Sequence, residues 1–109
     1  MTTEQLMARA IDIRKRYDEL NASKYGDAWN GHQLALGFVG DVGDLAKIIM
    51  AKDGLRDIDG DVDEKLAHEL ADCLWSVLVL AHRYGVDIEK EFLNTMDHLE
   101  QRIAAEVNA

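Results

Sequence analysis

No proline occurs anywhere in this sequence of 109 residues, and Cys73 is the single cysteine. The first absence removes the strongest helix breaker and favours uninterrupted helices joined by short connections. The second excludes an intrachain disulfide and any cluster of thiolate ligands, and it fits a reducing compartment. Basic residues are scarce too, 12 Lys and Arg against 21 Asp and Glu, for a formal net charge of −9. Without a basic stripe, neither a nucleic-acid backbone nor an anionic membrane surface is the expected partner. An acidic protein that handles an anionic substrate needs a metal ion to mediate the contact. Long apolar runs are also missing. The most apolar segment, residues 70–81, is too short to span a bilayer and contains Asp72. Residues 1–10 lack the charged start and apolar run of a signal peptide, so a cytoplasmic location is expected.

What is present is a core-forming composition, 48% hydrophobic, of a size that suits one domain over residues 1–109. Thr2-Thr3-Glu4-Gln5 reads as a capping box, followed by Leu6, Ala10, Ile13, Tyr17 and Leu20 at helical spacing. Ser23 and Gly26 mark residues 21–27 as a connector. Asn30, with Gln33 three residues on, caps a second helix whose apolar stripe is Phe38, Val42, Leu45 and Ile49. Residues 53–61 form a polar loop. Asp61 caps a third helix that runs to about Tyr84 and ends at Gly85. Asp87 starts a fourth, with Ile88, Phe92, Thr95, Leu99 and Ile103 along one side. The expected fold is all-α, a four-helix antiparallel bundle.

The second helix carries the stretch GFVGDVGDLAKI, residues 37–48, with three glycines and two aspartates in a helix body. Gly and Asp are poor helix-interior residues, so another demand must outweigh propensity. Asp41 and Asp44 are three apart and share a face; Glu69 and Asp72 repeat the device on the third helix. Asp72 stands in a segment apolar around most of its circumference, which implies burial. A buried carboxylate must be neutral, paired with a cation or bound to metal. Two such pairs on two core helices can converge on one hard cation with oxygen ligands, Mg²⁺ or Mn²⁺. Gly40 and Gly43 would then admit a neighbouring helix or a ligand close to the backbone. The plainer alternatives are a solvated acidic face, or ion pairs with Lys47, Lys52, Arg83 or Arg102.

Taken together, LALGFVGDVGDLAK and HELADCLWSVLVLAHRYGVDI resemble the MazG-like branch of the all-α nucleoside triphosphate pyrophosphohydrolases, nearest to the dCTP pyrophosphatase type. The likeness covers residues 29–102. It implies a Mg²⁺-dependent enzyme that hydrolyses a nucleoside triphosphate to monophosphate and pyrophosphate. Asp41 and Asp44 fall at the two glutamates of the family's E-x-x-E helix, and Glu69 and Asp72 match its E-x-x-D helix. All four are thereby implied as metal ligands, and Asp41, Asp44 and Glu69 as candidates for the base that activates water. Arg83 and Arg102 fall on basic positions of the family. Trp29 is placed to stack on a nucleobase, or equally to pack its loop on the bundle. The departures are Asp for Glu in the first motif, Ser76 for a tyrosine, and Thr95 and Leu99 for a phosphate-binding lysine and an asparagine. Lys52, Arg56 or a partner subunit would have to compensate. A non-catalytic helical module that keeps the fold is the alternative function.

Other residues carry less. His32, His68, His82 and His98 show no metal spacing with one another and are read as surface or interface residues, with His68 turned away from Glu69. The acidic run from Asp57 to Asp61 fails as a calcium loop, since Gly60 is misplaced and position twelve is His68. No E-x-x-H occurs, which argues against a di-iron bundle. Trp75 and Leu78 are read as facing away from the acidic pair, a stripe that a second bundle would cover. The family likeness points the same way. A homotetramer built as a pair of dimers is expected, with a dimer as the smaller form.

Overall fold

The structure is a computed structural model that describes residues 1–26 and 28–108. It contains four helices: α1 (Thr3–Tyr25), α2 (Gly31–Lys52), α3 (Val62–Arg83) and α4 (Ile88–Val107). No strand is present among the described residues. Each helix starts where its capping residue dictates. Thr2 and Asn30 each accept a hydrogen bond from the backbone N–H of Gln5 and Gln33, whose side chains answer to the cap N–H at 2.8 Å. Asp61 accepts from two backbone N–H groups, Asp63 and Glu64, and Asp87 from Lys90. The expected connector at residues 21–27 is different. Helix α1 continues through Asn21 to Tyr25 and stops at Gly26, whose φ of 88° only glycine adopts readily. Ser23 alone is too weak a breaker to stop it. Asp27, the last residue of that expected connector, lies outside the described residues.

Helices α2 and α3 pack antiparallel. Lys52 near the end of α2 meets Asp63 at the start of α3, Asp41 meets Ser76 at mid-helix, and Gly31 lies beside Arg83 and Tyr84. Helix α1 lies on α3, pinned by Trp75 Nε1 donating to the Ala10 carbonyl oxygen at 3.0 Å. Ala10, Leu78, Val79 and Ala81 form the small apolar centre. Leu78 therefore faces inward, against the expectation that it points toward a second bundle. The exposed apolar residues of α3 are Leu70 and Leu74 instead.

Helix α4 stands apart from the other three. None of its residues is buried, and Phe92, Leu93, Met96, Leu99 and Ile103 are exposed. The Cα radius of gyration is 17.5 Å, against about 13 Å for a compact chain of this length.

Candidate functional site

The antiparallel register of α2 and α3 brings their acidic residues together. Ligand-capable oxygens of Asp41, Asp44 and Glu69 all lie within 4.8 Å of one another. A second group, His68, Glu69 and Asp72, meets the same limit, so Glu69 belongs to both. Its carboxyl is pushed above the usual range, first by desolvation and then by the charges of Asp72 and Asp44, with a smaller push from Asp41. His68 opposes the shift. Desolvation and neighbouring carboxylates together disfavour the charged form, and a divalent cation would relieve both. These oxygen donors fit a hard cation, so the acidic groups present can hold a metal.

Three expectations need correction here. Asp72 is not sealed in an apolar helix: a third of its side chain (33%) is exposed, and it pairs with His68 Nε2 at 3.1 Å. Leu70 and Leu74, on the far side of α3, are exposed as well, so the segment is not apolar core all round. His68 is not turned away, because its i,i+4 spacing to Asp72 puts both on one face. Gly40 and Gly43 have nothing within 4 Å of where a side chain would start, so no neighbouring helix approaches them in the single chain. The close approach occurs one turn earlier. A Cβ at Gly37 would stand 3.0 Å from the Trp29 ring.

That ring belongs to a cavity of about 320 Å³ between α1, α2 and α3. Trp29, Tyr17 and Trp75 supply aromatic wall; Arg14, Asn21, Asp41 and Ser76 supply polar groups. Tyr17 and Trp75 are tilted neighbours with centroids 5.8 Å apart. Trp75 is thus a cavity wall, only three residues from Asp72 rather than opposite it. Ser76, standing where the family has a tyrosine, donates from Oγ to Asp41 Oδ2 at 3.3 Å. Asp41 is therefore common to the acidic cluster and the cavity.

The cationic residues expected at the site lie elsewhere in one chain. Lys52 is about 12 Å along the helix axis from Asp44 and is held by Asp63 at 2.7 Å. Arg83 is about 16 Å along the axis from Asp72, at the start of α2, and Arg102 is on α4. None of the three lines the cavity. The guanidinium that does is Arg14, which the sequence reading missed. Arg14, Tyr17 and Asn21 at i, i+3 and i+7 share one face of α1, and a charge set inside that helix's apolar stripe is the signal that could have found it. Cys73, half-buried near the carboxylates, has its thiol pushed up by burial and then by Asp41, so it stays a thiol.

The sequence profile of the MazG nucleotide pyrophosphohydrolase domain matches residues 32–105, more than half of the chain. The chain belongs to that family. Its all-α bundle and its acidic helices agree with the assignment. No curated protein and no solved structure matches the chain with significance. Among the described residues no helix is long and apolar enough to cross a membrane.

Proposed function

We propose that this protein is a Mg²⁺-dependent nucleoside triphosphate pyrophosphohydrolase that cleaves between the α- and β-phosphates of a pyrimidine deoxynucleotide. The observation that carries this reading is the sharing of Asp41 between the acidic cluster and the aromatic cavity. A base stacked on Trp29 or Trp75 would leave its phosphates beside the carboxylates, and a 320 Å³ cavity suits a ligand of that size. Asp41, Asp44, Glu69 and Asp72 would hold the ion, with Mn²⁺ as the nearest substitute. Bound there, a divalent cation supplies neutralisation of phosphate charge. One of the carboxylates Asp41, Asp44 and Glu69 takes the proton of the attacking water, whose oxygen bonds to the α-phosphorus as pyrophosphate leaves. The preference for a pyrimidine rests on the likeness to the dCTP pyrophosphatase type.

The active unit is proposed to be a homo-oligomer, a pair of dimers. The chain exposes 8294 Å², against about 6,000 Å² expected of a compact monomer of its mass. The excess is on the order of a specific interface. Apolar residues of α4, with Leu36 and Val39 on α2, supply the surface to be covered. Such an assembly can also return Lys52, Arg83 or Arg102 to the phosphates from a partner subunit.

Product analysis on a panel of nucleotides with Mg²⁺ tests the reaction. Monophosphate and pyrophosphate are expected; a diphosphate and orthophosphate would overturn it. Metal binding without turnover of any nucleotide would favour the non-catalytic module.

A further inference from the structure

Arg14 is the one cationic side chain among those lining the cavity, and its hydrogen bonding is incomplete. Only 14% of its side chain is exposed. Nε donates to Asp18 Oδ1 at 3.0 Å, and neither terminal amino group donates to any described residue. A guanidinium carries five N–H donors, and leaving them unpaired in a secluded place is costly. Those terminal nitrogens are not sealed in, since no buried polar side-chain atom lacks a partner among the described residues. They remain reachable by a ligand.

The group is also held still. Its Cζ lies 5.8 Å from the Tyr17 centroid, 5.9 Å from that of Trp29 and 5.8 Å from that of Trp75. Three ring contacts and the Asp18 bond fix the plane and leave the outer end of the fork, two parallel donors, for a ligand. We propose that Arg14 reads the base edge of the nucleotide and selects bases with two adjacent acceptors. This rests on the reading of the cavity as a base site.

The chemistry sorts the four bases. Cytosine offers O2 and N3 side by side, and guanine offers O6 and N7; each accepts both donors of the fork. Thymine and uracil place an N3–H donor between their carbonyls, which opposes one arm. Adenine alternates an acceptor with its amino group. Arg14 therefore favours cytosine over thymine and uracil among the pyrimidines, and guanine over adenine among the purines. Asp18 acts through Arg14 as a positioning residue.

The test compares dCTP, dGTP, dTTP and dATP for pyrophosphate release by the full chain with Mg²⁺. Binding of the four monophosphates, read from tryptophan fluorescence, runs beside it. The wild type is expected to favour C over T, and G over A, by about tenfold or more in kcat/KM, the scale of one bidentate pair. Arg14→Lys keeps the charge and the ring contacts but not the fork. It is expected to bring both ratios toward one, mainly through KM, with the helical circular dichroism unchanged. Asp18→Asn is expected to lower the ratios in part. An unselective wild type, or selectivity kept by Arg14→Lys, would overturn the proposal. Turnover absent but monophosphate binding selective for C over T and G over A would sink the hydrolase reading and leave Arg14 its role. Absence of both turnover and binding would overturn both.

Discussion

Glu69 bears the electrostatic load of the site because it lies in both carboxylate groups. A carboxyl raised above its unfolded value binds protons more tightly in the folded chain. Stability is therefore lost as pH rises from the model-peptide value of 4.5 through the folded value. Without metal, Glu69→Gln is expected to raise the melting temperature at neutral pH and flatten this dependence. The same variant should lose most of the stabilisation that millimolar Mg²⁺ gives the wild type, since ligand binding stabilises by mass action. Thermal melts with and without Mg²⁺ check both. Asp41, Asp44, Glu69 and Asp72 were all legible as acidic helix-face pairs. Which of them meet was not, because that depends on the α2–α3 register. Asp72 looked buried only because exposed Leu70 and Leu74 were counted as core. Arg14 was legible only as a charge inside the apolar stripe of α1; its ring cage was not, because the three rings come from three separate segments.

The helices themselves were the readable part. A start depends on a side chain three residues from the backbone group it serves, so local sequence contains the whole interaction. Asp61 is the strongest case, accepting from Asp63 N–H at 2.9 Å and Glu64 N–H at 3.2 Å. Asp61→Ala is expected to cost about 1 kcal/mol, the scale of a lost N-cap. Chemical denaturation measures it. The end of α1 was misread because Ser23 looked like a breaker while Gly26 was the actual stop. The fourth helix was legible as an element and illegible in its placement. Its stripe of Phe92, Leu99 and Ile103 is exposed, and the proposed oligomer would cover it, which local sequence does not encode. Phe92→Asp combined with Leu99→Asp is expected to reduce the solution mass to that of a single chain. Light scattering on both proteins tests this, and an unchanged oligomer would remove α4 from the interface.

For the whole molecule, a thin centre and an extended outline belong together with the site. The α1, α2 and α3 layer encloses the cavity that ends at Asp41. The net charge of −9 makes binding of a triphosphate unfavourable until a cation intervenes. Removal of divalent ions by a chelator should accordingly abolish turnover, and Mg²⁺ should restore it. The central claim is attack by water at the α-phosphorus, and the placement of the solvent oxygen reports it most directly. Hydrolysis in ¹⁸O-labelled water with Mg²⁺, followed by mass spectrometry of both products, is the measurement. The label is predicted in the nucleoside monophosphate, with the pyrophosphate unlabelled. Label in the pyrophosphate, or release of labelled orthophosphate, would contradict the account.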